Sequence, residues 1–254
     1  MTCDFNNVVV VLPTYNEREN LPQIVAQLDG LTLPYLRILV VDDNSPDGTG
    51  QVADRLASAS GGRLTVLHRT EKDGLGRAYV AGFLQALSDG AEVVIQMDAD
   101  LSHPASAIPV MLDILTTTDA AAVIGSRYVA GGAVAGEWGL HRKALSAWAN
   151  FYVNTILRLR VRDATAGFKA WRASTLEKLD LDSIVSSGYA FQVEMNYRTI
   201  KQGLHFREIP ILFEERAEGV SKMSLGEQIE SAILPWRLLF KSTSRKPEPQ
   251  RVPG

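Results

Sequence analysis

Residues 93–100 read Val93-Val94-Ile95-Gln96-Met97-Asp98-Ala99-Asp100, an apolar run that ends in two carboxylates. A short run rich in β-branched residues predicts a buried strand. Along an extended strand, positions i and i+2 share a face, so Asp98 and Asp100 are expected to leave the strand pointing the same way. Two carboxylates emerging together repel unless a cation lies between them. An all-oxygen donor set suits a hard divalent ion, Mg²⁺ or Mn²⁺. The competing reading is a solvated acidic loop leading into a helix capped by Ser102 or His103, with Pro104 in its first turn.

The neighbouring sequence repeats the pattern. Strands are predicted from Val8 to Leu12, Leu36 to Val41, Leu64 to Leu67 and Val93 to Met97. Helices are predicted between them, from Glu17 to Leu28, Thr49 to Ala59 and Leu75 to Leu87. A helix from Pro104 to Leu115 and a strand from Ala121 to Gly125 follow. Short apolar strands alternating with helices predict an α/β fold whose mostly parallel sheet is covered on both faces. In such sheets ligands gather at the carboxyl ends of the strands, where the Asp pair falls. The second half is less regular: a helix from His141 to Leu159, a strand near Phe168 to Trp171, a helix from Phe191 to Lys201 and a strand from His205 to Phe213.

Composition narrows the function classes. With 254 residues and 46% hydrophobic content, the chain can bury the core of one large α/β domain or two small ones. A formal net charge of −3 argues against nucleic-acid binding through bulk positive charge. The single cysteine, Cys3, has no internal disulfide partner, which predicts a reducing compartment. The N-terminal MTCDFNN lacks a basic segment followed by an apolar one, so no signal peptide is expected. No apolar run is long enough to predict a membrane span.

Further candidates sit where the strands end. The first strand runs into Pro13-Thr14-Tyr15-Asn16-Glu17, with none of the glycines of a dinucleotide turn. Pro13 and Tyr15 could wall a base and Glu17 could accept from sugar hydroxyls; alternatively Thr14 and Glu17 have the spacing of a capping box. The second strand ends in Asp42-Asp43-Asn44-Ser45-Pro46-Asp47-Gly48, where Pro-Asp-Gly is turn chemistry and Asp43 is a candidate for a base amide or ribose. Gly74-Leu75-Gly76 is half of a phosphate loop, with Tyr79 in place of the third glycine, or simply a tight helix entry. Arg127, in Gly125-Ser126-Arg127-Tyr128, stands on the same rim as the Asp pair and suits a phosphate. Arg142, Ser146, Asn150 and Asn154 form a polar stripe at i+4 steps, either solvated or able to grip a phosphate with its first two members. Arg216 and Lys222 lie on a Gly-containing loop that could close over a diphosphate or stay solvated.

The order of these segments is more specific than any one of them. Residues 13–21 (PTYNERENL), 41–49 (VDDNSPDGT), 74–76 (GLG), 98–104 (DADLSHP), 125–128 (GSRY), 165–169 (TAGFK), 188–194 (GYAFQVE) and 219–222 (GVSK) together resemble the dolichol-phosphate (polyprenol) mannose synthases of glycosyltransferase family 2. The resemblance spans roughly residues 6–225. It implies a single Rossmann-like A-type glycosyltransferase domain, a GDP-mannose donor, a polyprenyl phosphate acceptor and a divalent metal. Carried over by position, Pro13, Tyr15, Glu17, Val41 and Asp43 would hold guanosine. Asp98 and Asp100 would hold the metal, and the backbone of Ala99 would touch the donor. Arg127, Arg216 and Lys222 would meet the donor's phosphates or mannose, and Arg142 with Ser146 the acceptor phosphate. Some members carry Gln two residues beyond the second metal Asp. Ser102 stands there in this chain and leaves the third place in the metal shell to itself or to water. Gln192 and Glu194 are candidate sugar contacts or supports, or ordinary helix polar positions.

A lipid acceptor requires a chain that reaches a membrane without spanning it. Ser224 and Glu227 have capping-box spacing, and Leu225, Ile229, Ile233, Trp236 and Phe240 recur along the helix expected beyond them. Arg237, Lys241, Arg245 and Lys246 gather at its far end, and Pro235 would kink it. This pattern predicts an interfacial helix, against the alternative of a helix packed on the protein's own core. The expected organisation is a catalytic domain over 1–223, an amphipathic helix over 224–241 and a disordered Pro-rich tail over 242–254. The expected location is peripheral, on the cytoplasmic face of a membrane, with a separate membrane subunit as one option. The competing functions are a UDP-glucose-dependent enzyme on the same lipid class and a non-catalytic nucleotide-binding partner of a membrane protein.

Overall fold

The computed structural model describes residues 5–135, 140–184, 186, 188–214 and 233–240. The chain opens with β1 (Val8–Thr14), α1 (Leu21–Asp29), β2 (Leu36–Asp42), α2 (Thr49–Ala59), β3 (Leu64–His68), α3 (Leu75–Ser88) and β4 (Val93–Gln96). It continues with α4 (Ile108–Thr117), β5 (Ala122–Ser126), β6 (Ala133–Val134), α5 (Leu140–Leu157), β7 (Lys169–Arg172), α6 (Ala173–Leu176), α7 (Gly188–Lys201), β8 (Phe206–Pro210) and β9 (Leu212–Phe213). Seven strands form the main sheet in the order β3-β2-β1-β4-β7-β5-β8, and β6 pairs with β9 in a small second sheet. All neighbours in the main sheet run parallel except β7, which is antiparallel to both β4 and β5. The predicted mostly parallel α/β sheet is therefore the observed one.

Every residue of β1 and β4 is buried. Their alternate side chains enter different cores. Val8, Val10, Leu12, Val93 and Ile95 pack with α1 and α4 on one face. Val9, Val11 and Val94 pack with α3 and α7 on the other. Burial on both faces explains why these strands read as continuous apolar runs rather than alternating ones.

The strand order also fixes where a ligand can enter. From β1 the chain steps outward through β2 to β3, then returns along α3 to place β4 on the other side of β1. The connections on either side of β1 and β4 diverge, leaving a crevice at their carboxyl ends. The segments after β1, β2 and β4 all open onto that rim.

Several expected boundaries shift for local reasons. Helix α1 starts at Leu21, not Glu17, because residues 17–20 form a turn before Pro22 fills the first turn of the helix. The capping box expected of Thr14 and Glu17 is not used: the Thr14 hydroxyl donates to Asp42 Oδ1 at 3.1 Å. The strand expected from His205 to Phe213 divides at Pro210 and Ile211 into β8 and β9, and β9 leaves the main sheet to pair with β6.

One packing contact is demanding enough to test. Helix α3 crosses β1 at Gly82, where an added Cβ would overlap Val11 Cγ1 and come within 3.0 Å of Val41 Cγ2. Both valines are fully buried and stiff at χ1. Alanine gains about 1 kcal/mol of helix propensity over glycine, and overpacking costs about 1–3 kcal/mol. Gly82→Ala is expected to lower stability and Tm, measured by thermal denaturation; an unchanged or raised Tm would show that the α3–β1 contact has slack.

Candidate active site

A cleft of about 390 Å³ lies at the predicted rim. Pro13, Tyr15, Glu17, Asp43, Asp98, Ala99, Asp100 and Arg127 all line it. Val41 does not: its side chain is fully buried between β2 and α3. Arg216 and Lys222 lie outside the described residues, as does the side chain of Arg142, whose backbone belongs to α5. Ser146, one turn further along α5, places its Oγ 2.7 Å from the Tyr128 hydroxyl.

The Asp pair leaves the sheet differently from a simple strand end. Strand β4 stops at Gln96, and Asp98 to Asp100 form a bend closed by Leu101 at φ 66°. The shared direction of the two carboxylates is therefore set by the bend and its hydrogen bonds, not by strand alternation. The hydroxyl and backbone N–H of Ser102 both donate to Asp100 Oδ1, at 2.6 and 3.1 Å. Ser102 thus grips Asp100 from behind. The Asp98 backbone N–H donates to His103 Nδ1 at 3.1 Å, and the His103 ring stacks on Phe168. Tyr79 donates its hydroxyl to Asp98 Oδ1 at 2.5 Å. Burial, followed by the Asp98 charge, holds the Tyr79 phenol well above its usual pKa, so it remains a donor.

The donor chemistry fits a hard cation. Each carboxylate has one oxygen fixed by a neutral hydroxyl, and Asp98 forms no ion pair among the described residues. No cluster of three His, Cys, Asp or Glu side chains occurs among the described residues. A divalent ion held by Asp98 and Asp100 would therefore take its remaining oxygens from substrate and water, as Mg²⁺-type sites at phosphates do.

At the β1–β2 end the Asp42-Asp43 pair divides its work. Asp42 is buried and accepts from Thr14 and Ser45, which shapes the turn. Asp43 lines the cleft, with Arg69 Nη1 donating to its Oδ1 at 2.6 Å. Burial nonetheless keeps the Asp43 carboxyl above its ordinary pKa, with Arg69 pulling the other way. Lys72 stands 3.8 Å over the Tyr15 ring. Arg69 and Lys72 carry no motif signal in the sequence, and only the folding of β3 beside β2 brings them here.

Arg127 is more committed than its sequence position implied. Its Nε and Nη2 bond bidentately to Asp163 at 2.8 and 2.7 Å, and Nη2 also reaches Thr165 Oγ1. Burial opposes the charge, but the Asp163 hydrogen bonds and charge raise the Arg127 pKa above its ordinary value. The arginine lines the cleft as one half of a buried ion pair. Gly76 likewise has a packing role: a Cβ there would collide with the Ser186 carbonyl oxygen and press on Phe191. Gly74-Leu75-Gly76 is thus a tight helix entry, and Tyr79, at the place of the missing third glycine, is the residue that reaches the Asp pair.

Gln192, a candidate from the sequence, lines the cleft, but sequence reasoning missed the buried network behind it. Lys169 is fully buried at the start of β7, and burial lowers its pKa to about 7. Its Nζ donates to Ala166 O at 2.7 Å and to Gln192 Oε1 at 2.6 Å. Gln96 Nε2 donates to the same Gln192 oxygen at 2.8 Å, and Trp171 Nε1 donates to Gln96 Oε1 at 3.0 Å.

A second feature lies on α5 and on the helix at 233–240. Leu234 and Leu238 are buried against Val153 and Leu157. Ile233, Trp236 and Phe240 remain exposed, beside exposed Trp148 and Phe151 of α5. Trp236 Nε1 donates to the Tyr152 hydroxyl at 2.9 Å, and Trp148 stacks on the Tyr152 ring. The helix at 233–240 thus packs one face on the protein's own core, as the competing reading expected, and leaves Ile233, Trp236 and Phe240 of the expected stripe exposed. Ser224, Leu225, Glu227 and Ile229 lie outside the described residues. No helix among the described residues is long and apolar enough to cross a membrane.

Comparison with known proteins agrees with this geometry. Residues 9–180 match the model of glycosyl transferase family 2. The polyprenol monophosphomannose synthase of Mycolicibacterium smegmatis is 48% identical over 227 residues, covering 89% of this chain and 83% of that protein. The undecaprenyl-phosphate mannosyltransferase of Micrococcus luteus is 48% identical over 226 residues, covering 89% and 91%. Among solved structures, glucosyl-3-phosphoglycerate synthase from Mycobacterium tuberculosis, in complex with Mn²⁺, UDP and glucosyl-3-phosphoglycerate, aligns with a TM-score of 0.66 at 18% identity. That alignment covers 95% of this chain and 81% of the other. Mannosyl-3-phosphoglycerate synthase from Rubrobacter xylanophilus aligns with a TM-score of 0.63 at 19% identity, covering 97% and 78%. At such identities the structural likeness speaks for the fold, whereas the sequence matches settle the family: the chain is a glycosyltransferase and belongs to glycosyl transferase family 2.

Proposed function

We propose that the protein transfers mannose from GDP-mannose to a polyprenyl phosphate at a membrane surface, with a divalent metal, Mg²⁺ or Mn²⁺, at Asp98 and Asp100. The observation that carries this reading is the Asp98–Asp100 pair, fixed by Tyr79 and Ser102 in a cleft whose other end holds Tyr15, Glu17 and Asp43. The names of the two mannosyltransferase relatives support mannose and a polyprenyl phosphate as the transferred group and acceptor.

The residues divide naturally along such a donor. Pro13 and Tyr15 wall the base, with Lys72, also lining the cleft, over the Tyr15 ring. Glu17 and Asp43 accept from ribose hydroxyls or base amides. The bound metal would act as a Lewis acid on the diphosphate as GDP departs. Arg216 and Lys222 would add positive charge there, and Arg142 with Ser146 would receive the acceptor phosphate. That phosphate is already largely ionised near pH 7, because its second pKa is about 6. The chain therefore needs no strong general base; its task is to let two anions meet. Direct attack by the phosphate oxygen on the anomeric carbon inverts configuration there.

The exposed aromatic side chains favour a peripheral approach to the lipid. Trp148, Phe151, Trp236 and Phe240 present rings beside Tyr152. The tryptophan rings, with an apolar body and a polar N–H edge, suit the headgroup boundary, and the phenylalanine rings add apolar area.

Mannose transfer from GDP-mannose to a short, water-soluble prenyl phosphate, measured with and without divalent metal and with UDP-glucose as the control donor, tests the reading. Transfer that uses UDP-glucose instead, or is indifferent to chelator, would overturn it. Asp100→Asn is expected to cut turnover by more than about 100-fold, since even partners behind a metal ligand are worth about 10–100-fold. Its Tm should hold or rise, because one of two repelling charges is removed. Near wild-type turnover in saturating metal would remove Asp100 from the metal site.

The membrane reading has its own test. Replacing Trp148 and Phe151 by serine should weaken binding to anionic vesicles by about tenfold or more per ring, because burying a large apolar side chain contributes about 1.5–3 kcal/mol. Turnover on the water-soluble acceptor should stay within about twofold. Unchanged vesicle binding would place the lipid-facing surface elsewhere.

A further inference from the structure

Gln192 sits in the first turns of α7, on the wall of the cleft, and its side chain is 97% buried, being only 3% exposed. Its oxygen is saturated from behind by two donors, Lys169 Nζ at 2.6 Å and Gln96 Nε2 at 2.8 Å. That pairing fixes the orientation of the amide, since an oxygen must face two donors. The Nε2 group therefore points the other way, and among the described residues it has no protein partner. A Cβ built on Gly167 would lie 3.4 Å from Asp98 Oδ2 and 3.8 Å from Gln192 Nε2, so the amide and the carboxylate flank the same small space.

The charge behind this amide selects the ligand. Lys169 donates only to the neutral oxygens of Ala166 and Gln192, so no carboxylate touches its ammonium. Burial is the largest influence on it and lowers its pKa to about 7, while Asp163 and Asp98 favour the ammonium at longer range and Arg127 opposes them. In its ammonium form Lys169 polarises the amide N–H groups on the far side, because hydrogen bonds in a chain reinforce one another; the neutral amine still fixes the amide's orientation. The first turn of α7 adds unpaired backbone N–H groups and the positive end of its dipole, and Gly188 and Tyr189 of that turn line the cleft. A sugar hydroxyl would gain little from such a field, whereas an anionic oxygen would gain much.

We propose that Gln192 Nε2, backed by Lys169 and set at the N-terminus of α7, is a binding group for a phosphate oxygen beside Asp98. The ligand chemistry is a phosphate of the substrates, either the donor diphosphate or the acceptor monophosphate. Lys169 and Gln96 are positioning residues that act through Gln192. The inference rests on the proposed function only for the choice of nucleotide and prenyl phosphate as ligands.

Gln192→Glu separates binding from folding. The carboxylate keeps the shape and gives Lys169 a direct ion-pair partner, so Tm should hold or rise, but the N–H donors are replaced by negative charge. Calorimetric titration with pyrophosphate, GDP, GDP-mannose and a short prenyl phosphate is expected to show at least a tenfold loss for one phosphate source. Loss for pyrophosphate, GDP and GDP-mannose together assigns the donor diphosphate. Loss for prenyl phosphate alone assigns the acceptor. Loss for GDP-mannose with GDP and pyrophosphate unchanged assigns the amide to the sugar and overturns the proposal, as does unchanged binding of every ligand with Tm retained. Lys169→Met should weaken the same ligand several-fold while GDP-mannose and GDP remain equally affected relative to each other; a Tm loss without a binding loss would make Lys169 purely structural and remove the charge argument. If the wild-type protein binds pyrophosphate but neither guanine nucleotide, the proposed function fails while this subsite stands.

Discussion

Two negative charges held close together in a half-buried cleft dictate most of what surrounds them. Asp98 and Asp100 leave β4 within one bend, and their repulsion grows as water is excluded. Among the described residues neutral hydroxyls hold the pair, Tyr79 on Asp98 and Ser102 on Asp100, and His103 holds the bend through the Asp98 backbone. Neutral donors fix direction without cancelling charge. Had a lysine or arginine paired with Asp98 directly, the site would be electrostatically satisfied and a poor host for a metal. The positive groups instead stand one step back, with Lys169 behind Gln192 and Arg127 committed to Asp163.

That arrangement explains the hydrophobic architecture around α3 and α7. Tyr79 donates to Asp98 from a fully buried position, stacked on Phe191 with the rings nearly parallel at 5.8 Å. Close approach of α7 to α3 requires glycine at Gly76, and close approach of α3 to β1 requires glycine at Gly82. The same approach carries Gln192 to the wall of the cleft. Packing and chemistry are thus coupled through one helix pair, since the residues that close the core also aim the polar groups.

The sequence made the sheet legible because β1, β2 and β4 are buried on both faces and so read as continuous apolar runs. It made Tyr15, Glu17, Asp43, Asp98, Asp100 and Arg127 legible as cleft residues because each lies within a few residues of a strand's carboxyl end, and the strand order collects those ends. It left Asp163, Lys169, Arg69 and Lys72 hidden. Their roles depend on pairing across the sheet, through β7 running antiparallel between β4 and β5 and β3 lying beside β2. Periodicity carries no information about which distant strand a side chain will face. Tyr79 lay between these cases: its place within the glycine-rich segment was visible, but its function needed the fold. Val41 shows the reverse error, since its motif position is genuine while its side chain belongs to the core.

On the proposed reading, the exposed aromatic surface would connect the chemistry to the lipid. Helix α5 begins near the proposed acceptor residues Arg142 and Ser146 and carries Trp148 and Phe151 within the next turn and a half beyond Ser146. Tyr128, bonded to Ser146, follows Arg127 directly at the end of β5. A phosphate headgroup lifted toward Ser146 would therefore move from a surface of exposed rings toward the cleft without the prenyl chain having to enter the protein. The buried leucines of the helix at 233–240 hold its exposed rings beside those of α5. On the proposed reading the exposed rings and the acceptor-phosphate residues share helix α5, so docking on a membrane and orienting the acceptor would be coupled.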